Sequence, residues 1–333
     1  MGYLGIFLLA IVFPILSWAR PAVDNCQRLL GEAPPEVYRV VTFNTLNLYY
    51  ELLDKEGREQ KPAGTDWRQK PEHQIEQLGQ AMRGLDADII VLQEVESMND
   101  LLKINREELG GRYDAILKVG NDARGIDIGF LIRKDMPIEI ELETHKDMKW
   151  VDPIDGREKP VFSRDAPALI IRKKGETKPQ MILIGHHAKS RGDRGGDPES
   201  FILRAAQYDR LGKIIKGYQE RFGKDVPVIL AGDFNTGIHD SIETVPVRDI
   251  MDDSLDMQPH DLSDEERVTH SYFPRRGRPD HKQIDGILIT KGSQVEVLRS
   301  GVVQDDRGLP RNRGQRHQQA SDHYPVYADI KVK

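Results

Sequence analysis

Asp233 and Asn235 directly follow a short apolar run and are residue types that bind phosphates or metal ions. The run at 228–231 has the length of a buried strand, and Gly232 is expected to end it with a tight turn. If the chain stays extended, both polar side chains leave the same face. A carboxylate beside a carboxamide can hold a water, a hard metal ion or a phosphate oxygen. The alternative is an ordinary turn, in which Gly, Asp and Asn are common.

Other predicted strands also end in acids, amides or histidines, and strand ends that converge on one edge of a scaffold can build a site. These strands lie at 39–43, 88–93, 181–184 and 284–289. Asp285 lies within an apolar strand, where an unpaired acid is costly to bury, so it needs a partner, and His323 is the candidate. Glu94, taken alone, is typical of a solvated surface acid. His186 should point away from its neighbour His187 along an extended chain, which indicates a structural role for His186.

The elements that position these side chains are many short strands and two clear helices. Pro71 begins one predicted helix, and Asp197 with Pro198 begins the other. Their predicted core positions are Ile75, Leu78 and Met82 in the first, and Leu211, Ile214 or Ile215, Tyr218 and Phe222 in the second. This pattern predicts an α/β fold in which two packed β-sheets are flanked by helices, in one domain over residues 37–333.

Composition and charge limit how this protein could bind a nucleic acid and which metal sites it could contain. The 333 residues carry a formal net charge of −6, which gives no overall footprint for a nucleic acid. A protein of this charge that binds a polyanion must concentrate its positive residues, and this chain does so in two loops, at 275–282 and 307–317. The single cysteine, Cys26, excludes an intrachain disulfide and a cysteine-based zinc site.

The N-terminus predicts export. Residues 2–18 are almost wholly apolar, and Ser17-Trp18-Ala19 places small residues where a signal peptidase cuts. We therefore expect a signal peptide over 1–19, a loose polar leader over 20–36, and a secreted or periplasmic mature protein. The positive residues that usually precede such a run are missing, and its length is near the lower limit for a membrane span. An uncleaved membrane anchor is the alternative.

Six short motifs, in this order along the chain, resemble the endonuclease/exonuclease/phosphatase superfamily, whose best-known members are the DNase I-like nucleases and the abasic-site endonucleases. They are T-F-N at 42–44, L-Q-E at 92–94, H-A-K-S at 187–190, G-D-F-N at 232–235, Q-I-D at 283–285 and S-D-H at 321–323. Each motif is weak alone, and the ordered set is specific. The resemblance runs from Tyr38 to Ile330 and implies a four-layer α/β sandwich of two packed mixed β-sheets flanked by helices.

The family's reaction is metal-dependent hydrolysis of a phosphoester, in which a divalent cation neutralises the phosphate and the leaving oxygen. The resemblance implies that Glu94 is the main metal ligand, with Asn44 and Asp322 beside it. Mg²⁺ is the expected cofactor because it prefers oxygen ligands. Mn²⁺ or Ca²⁺ is expected to substitute or assist.

The same resemblance implies roles for the catalytic groups. Asp233 would position or deprotonate the attacking water, and Asn235 would hold a phosphate oxygen. His323 would contact the phosphate, while Asp285 fixes its tautomer and favours its cationic form. His187 matches the histidine that DNase I-like members use as a second acid–base or phosphate-binding group.

Basic residues near these motifs are expected to bind the substrate. Arg124 precedes a strand at a place where DNase I-like enzymes carry a phosphate-contacting arginine, with an ordinary surface arginine as the alternative. Lys189 belongs to the H-A-K-S motif. The two basic loops flank Asp285 and Asp322 and are expected to track phosphates along the rim of the site. From these loops, the predicted substrate-binding residues are Arg275, Arg311 and Arg313.

Two departures from the family pattern argue against a dedicated repair enzyme. Abasic-site enzymes carry an acid where this chain has Leu46, and a tyrosine where it has His187. The H-A-K-S motif, the glycine-rich loop after it, and Arg204-Ala-Ala-Gln207 are most similar to bacterial extracellular nucleases.

The first functional hypothesis is therefore a secreted, monomeric, Mg²⁺-dependent nuclease that acts on DNA, with RNA as a further substrate, and that has no stable membrane partner after processing. The second is a phospholipid phosphodiesterase such as a sphingomyelinase, which needs an exposed aromatic hairpin to enter a bilayer. No such hairpin is evident in the sequence. Inositol polyphosphate phosphatases are a weaker variant, because their arginine-containing motif is not evident. A non-catalytic binding module should lack the catalytic acids and histidines, which this chain retains.

Overall fold

The structure is a computed structural model that describes residues 37–50, 69–274, 277–304, 309–316 and 318–333. The predicted signal peptide and leader, Cys26, most of the loop at 51–70, and Arg275 lie outside these ranges. The residues at 305–308 and 317 also lie outside them, and of these 307, 308 and 317 belong to the second basic loop.

In chain order, the strands are β1 (Val37–Leu48), β2 (Ile89–Val95), β3 (Tyr113–Leu117), β4 (Asp127–Arg133), β5 (Ile138–Glu143), β6 (Lys149–Val151), β7 (Glu158–Pro160), β8 (Ala168–Lys173), β9 (Met181–His187), β10 (Val228–Asp233), β11 (Met251–Asp253), β12 (His270–Tyr272), β13 (Asp280–Lys282), β14 (Asp285–Thr290), β15 (Val295–Val302) and β16 (Val326–Val332). The helices are α1 (Glu72–Leu85), α2 (Met98–Glu108), α3 (Phe201–Phe222), α4 (Val245–Arg248), α5 (Ser254–Met257) and α6 (Arg313–Arg316).

The longer strands form two six-stranded sheets of similar design. The first has the order β15-β16-β1-β2-β4-β3, and the second has the order β11-β14-β10-β9-β8-β5. Each sheet has one parallel pair at its centre, β1 with β2 and β9 with β10, and antiparallel neighbours on both sides. The strands β6 and β7 form one separate hairpin, and β12 and β13 form another.

Four layers result because each sheet is apolar on both faces. Val40 and Ile89 of the first sheet share a core with Leu183 and Ile229 of the second. The outer face of the first sheet packs against α1 and α2, and that of the second packs against α3. The structure therefore confirms the sandwich of two mixed sheets flanked by helices.

The helices follow the sequence pattern with one addition. Helix α1 buries the predicted Ile75, Leu78 and Met82, and α3 buries four of its predicted core residues while Phe222 lies at the margin. The expectation of only two clear helices was wrong, because the 11 residues of α2 form a third. Ser97 caps that helix by accepting a hydrogen bond from the amide of Asp100. None of the helices in the described residues is long and apolar enough to span a membrane.

The sheet design brings the polar strand ends to one edge. The carboxyl ends of β1, β2, β9 and β10 carry Asn44, Glu94, His187 and Asp233. Strand β14 runs antiparallel to β10, so its first residue, Asp285, pairs directly with Asp233. The site therefore collects residues from both sheets at their shared edge.

Gly232 has a different role from the predicted turn. It lies inside β10 and pairs with His186 on one side and Gly286 on the other. A Cβ at this position would collide with the carbonyl oxygen of His186. Glycine is therefore required for the close approach of the two strands, and the turn begins after Asp233.

Candidate active site

Asp233 is the centre of the site and joins the two sheets. Its Oδ2 accepts hydrogen bonds from the carboxamides of Asn44 in the first sheet and Asn235 beside it, each at 3.0 Å. The Nε2 of His187 lies 3.5 Å from the same oxygen, and the Nε2 of His323 lies 4.0 Å from it. Two carboxamides and two imidazoles therefore surround one buried carboxylate.

Asn235 reaches Asp233 through a turn and not along an extended strand. Its φ is 52°, in the left-handed region that asparagine tolerates better than most residues. The amide of Asn235 donates to Oδ1 of Asp233 at 2.7 Å, and its carboxamide donates to Oδ2 and to the carbonyl oxygen of Ala188 at 3.1 Å. The turn that was the alternative to a functional pair is therefore what brings the two side chains together.

Burial raises the pKa of Asp233 to about 7, and the nearby carboxylate of Asp285 adds to that shift. The positive charge of His323 and the hydrogen bonds from Asn235 and Asn44 oppose it. A carboxylate that titrates near neutral pH is suited to accept a proton from water, because it is both ionised and basic at the working pH.

His323 and Asp285 form the expected pair. The Nδ1 of His323 lies 2.8 Å from Oδ2 of Asp285, and both residues are buried. Burial alone would lower the pKa of His323, but the carboxylates of Asp285 and Asp233 raise it well above its ordinary value. The imidazole is therefore a cation that can donate from Nε2 towards Asp233 or towards a bound anion.

Thr269, which was not predicted from the sequence, binds the backbone on both sides of this pair. Its hydroxyl oxygen accepts the amides of Ile284 and Asp285, at 2.9 and 3.0 Å. Its carbonyl oxygen accepts the amide of Tyr324 at 2.8 Å. One residue therefore connects the segment that carries Asp285 with the segment that carries His323.

His187 and His186 point in opposite directions, as expected. The Nε2 of His187 lies 3.5 Å from Asp233 and 3.9 Å from Oε1 of Glu94, which supplies the carboxylate neighbours that the sequence could not assign. Burial and the charge of Arg164 lower the pKa of His187 well below its ordinary value. His186 packs edge-on against Tyr208 and Phe234, and burial lowers its pKa to about 3. His186 is therefore a neutral core residue.

Two carboxylates, the hard oxygen donors that Mg²⁺ prefers, lie beside the histidines: Glu94 near His187 and Asp322 near His323. Glu94 accepts the amide of Asn47 at 2.9 Å through Oε2. Asp322 holds a buried Oδ1 that has no hydrogen-bond partner among the described residues. Burial would raise the pKa of Asp322, but His270, His323 and Arg316 hold it below its ordinary value, so the group is a carboxylate. An ionised acid with a free buried oxygen fits a divalent cation.

Three more residues of this region were missed in the sequence. The ammonium of Lys70 donates to the carbonyl oxygens of Thr45 and Leu46 and interacts electrostatically with Asp322 and Glu94. Burial lowers its pKa to about 8.

The other two are Arg164 and His270. Arg164 is buried, with Nε 2.8 Å from Asp122 and Nη1 donating to the carbonyl oxygen of Ala188. His270 stacks at a tilt on His323, with ring centroids 4.6 Å apart, and its Nε2 lies 3.7 Å from Asp322. The ligand atoms of His270, Asp322 and His323 lie within 4.8 Å of one another, as do those of Asp233, Asp285 and His323, so either group has the spacing of a metal site.

The predicted substrate-binding residues are placed as follows. Arg124 forms a two-pronged ion pair with Asp122, at 3.1 Å for each prong, and interacts electrostatically with Glu94. Lys189 is half-buried, and its backbone amide is held by Gln207, while Arg204 binds its carbonyl oxygen. The motif 204–207 therefore holds the backbone of the H-A-K-S segment in place.

The second basic loop lies against the hairpin of β12 and β13. Arg313 donates twice to the carbonyl oxygen of Phe273, at 2.6 and 3.2 Å, and the side chain of Arg311 is exposed. Arg316 lies 3.7 Å from Asp322. Part of the positive charge predicted for the rim is thus beside the site, and Arg275 lies outside the described residues.

Comparison with known proteins agrees with this arrangement. A model of the Endonuclease/Exonuclease/phosphatase family matches residues 41–323, a range that contains every predicted catalytic and metal residue. The chain belongs to this family. This match confirms the resemblance inferred from the motifs. The family consists of enzymes and includes phosphoesterases. No curated protein gives a significant match.

Solved structures give the same fold at low sequence identity. A family protein from Bacteroides thetaiotaomicron is 18% identical with a TM-score of 0.59, and the match covers 90% of this chain and 99% of that one. A mannosyl-6-phosphatase from the same species is 17% identical with a TM-score of 0.57, covering 88% and 99%. Truncated TDP2 from Caenorhabditis elegans is 16% identical with a TM-score of 0.58, covering 89% and 98%. At these identities the likeness shows the fold.

Proposed function

We propose that this protein is a secreted, divalent-metal-dependent phosphodiesterase that hydrolyses nucleic acid, with DNA as the favoured substrate and Mg²⁺ as the cofactor. The observation that carries the proposal is the buried Asp233, which has a pKa of about 7 and faces His187 on one side and His323 on the other. A base near neutral pH between two imidazoles is suited to activate a water next to a phosphate.

Asp233 and the residues around it have separate roles in the proposed reaction. Asp233 accepts the proton of the attacking water, and Asn44 and Asn235 hold its carboxylate in place through their hydrogen bonds. The cationic His323 donates to a phosphate oxygen, and Asp285 holds its ring in orientation. Preorganised donors of this kind act without rearrangement during the reaction.

Glu94 and Asp322 are the residues that would hold the divalent cation, since both are oxygen donors at the same edge and Asp322 has a free buried oxygen. A bound cation supplies charge neutralisation for the phosphate and the leaving oxygen. In the structure, the carboxamide nitrogen of Asn44 donates to Asp233, and its Oδ1 accepts a hydrogen bond from the amide of Leu46. We therefore assign Asn44 primarily the role of positioning Asp233.

The preference for a nucleic acid rests on the cations at the rim. Arg311, Arg313 and Arg316 come from one short segment beside Asp322, in a protein whose net charge is −6. A repeating polyanion uses such a segment, because each neutralised phosphate releases counterions. A small sugar phosphate or a lipid headgroup presents a single phosphate and would contact fewer of these cations.

Parallel assays of the purified mature protein with Mg²⁺ test the proposal. The substrates are plasmid DNA, RNA, sphingomyelin vesicles and mannose 6-phosphate. We expect cleavage of plasmid DNA, with or without cleavage of RNA, and none of the other two substrates. Release of phosphate from mannose 6-phosphate, or phosphocholine from vesicles, with intact plasmid would contradict the proposal and assign the site to a different phosphoester.

A further inference from the structure

An exposed aromatic side chain lies on the hairpin formed by β12 and β13. Tyr272 is 56% exposed, although the tyrosines of the sandwich core are almost completely buried. One exposed ring does not make the apolar aromatic hairpin that a bilayer-entering loop needs, so it leaves the expectation drawn from the sequence unchanged. A single exposed apolar side chain needs no explanation by itself. What distinguishes Tyr272 is its direction relative to the candidate active site.

The alternation of β12 directs Tyr272 to the face that the catalytic histidine contacts. Side chains two positions apart share a face of a strand, so Tyr272 and His270 lie on the same side. The ring of His270 stacks on His323, and the backbones of these two residues also form a β-bridge. Ser271, between them, points to the other face and is buried. Tyr272 therefore extends outward from the reaction centre by one strand repeat beyond His270.

Charged residues lie next to Tyr272 in the hairpin and at its end. On β13, Lys282 pairs with His270, Asp280 pairs with Tyr272, and the two β13 side chains form an ion pair at 3.0 Å. Arg313 binds the carbonyl oxygen of Phe273, the next residue in the chain. One exposed aromatic ring and two cationic residues, Lys282 and Arg313, are thus carried by or bound to the same hairpin. That pattern is typical of surfaces that bind single-stranded nucleic acid, where rings stack on bases and cations contact phosphates.

We propose that Tyr272 is a stacking platform for a nucleobase next to the phosphate that is cleaved. The inference rests on the proposed nuclease function and adds a base contact to it. Stacking uses the face of the base, so it favours nucleic acid over base-free phosphates without selecting a sequence. A membrane contact requires an apolar surface, whereas this hairpin carries Lys282 and Asp280 and is bound by Arg313.

A strand without bases keeps the phosphate contacts but cannot stack, so comparing it with a normal strand isolates the contribution of stacking. We would compare wild type with Tyr272→Ala and Tyr272→Phe on two fluorescent oligonucleotides with the same phosphates, one with bases and one of abasic tetrahydrofuran residues. The quantities are KM and kcat for cleavage, and the equilibrium binding of each strand. Leu102→Ala, an exposed apolar truncation on α2, is the control for loss of surface apolar area.

For Tyr272→Ala we expect KM on the strand with bases to rise roughly 5- to 150-fold, the range of one stacked base, with little change in kcat. The base-free strand should be cleaved as by wild type, and Tyr272→Phe should behave as wild type on both. Equal losses on the two strands, or no loss on either, would overturn the inference.

The same experiment separates this inference from the proposed function. If wild type cleaves neither plasmid DNA nor either strand, the nuclease proposal fails and the stacking role fails with it. If wild type cleaves plasmid DNA but neither binds nor cleaves the strand with bases, only the stacking role fails. If wild type cleaves DNA and Tyr272→Ala is indistinguishable from it, only the stacking role fails. A loss for Tyr272→Ala on sphingomyelin vesicles, with unchanged DNA cleavage, would assign the ring to a lipid surface.

Discussion

The pair of Asp285 and His323 gives a prediction whose size can be worked from its geometry. The two side chains are 2.8 Å apart and both are buried. At that separation and an effective dielectric constant of ~20, Coulomb's law gives an attraction of roughly 6 kcal/mol before desolvation is subtracted. Together with the charge of Asp233, this attraction outweighs burial and raises the pKa of His323 well above its ordinary value, which favours the cation that donates to a phosphate oxygen.

Loss of either partner should therefore remove one positioned donor. For Asp285→Asn and for His323→Ala we expect kcat/KM to fall about 10²–10⁴-fold, or ~3–5 kcal/mol of transition-state stabilisation. If the two residues act as one unit, the double variant should be no more than about tenfold below the less active single variant. Independent residues would give multiplied losses, ~10⁶-fold for two losses of 10³.

The assay is hydrolysis of bis(4-nitrophenyl) phosphate at saturating Mg²⁺, with thermal unfolding measured for each variant. His239→Ala is the matched control, because its Nε2 lies 3.0 Å from Asp253 and it contacts none of the predicted site residues. That variant should retain wild-type kcat/KM. Multiplied losses in the double variant, with all variants folded, would refute the coupling of Asp285 to His323.

Three further predictions concern the metal, the rim and the N-terminus. Glu94→Gln should raise the Mg²⁺ concentration needed for half-maximal rate, and an unchanged metal dependence would contradict its role as a ligand. Replacing Arg311 and Arg313 with alanine should weaken DNA binding and flatten its dependence on salt, while small-diester hydrolysis is unchanged; equal loss on both substrates would contradict a phosphate-tracking rim. Protein recovered after export should begin at or near Arg20, whereas full-length protein in the cytosolic fraction would contradict the signal peptide.

The sequence was informative where the chemistry follows local pattern. Acids after apolar runs predicted that Glu94 and Asp233 would lie at strand ends, and the structure places both there. Asp285 was predicted inside a strand and is instead the first residue of β14. The need of a buried acid for a partner predicted the contact of Asp285 with His323, although 38 residues separate them.

Long-range packing hid the remaining residues. Arg164 belongs to a polar S-R-D segment that resembles a surface turn, and it is buried only because Asp122 and the carbonyl of Ala188 receive its guanidinium. Lys70 ends a charged loop in the sequence, and its ammonium donates to carbonyl oxygens 24 and 25 residues earlier. His270 is part of no motif and reaches the site through a bridge to His323. Such contacts depend on topology, which a local pattern does not contain.

The most direct test of the central claim is plasmid cleavage by wild type and by Asp233→Asn, each with Mg²⁺ and with EDTA. The substitution removes the basic carboxylate and keeps the shape of the side chain that Asn44 and Asn235 contact. We expect wild type to cleave DNA only with the metal, and Asp233→Asn to be folded and at least ~10²-fold slower. Cleavage by wild type in EDTA, or cleavage by Asp233→Asn at the wild-type rate, would contradict a metal-dependent nuclease centred on Asp233.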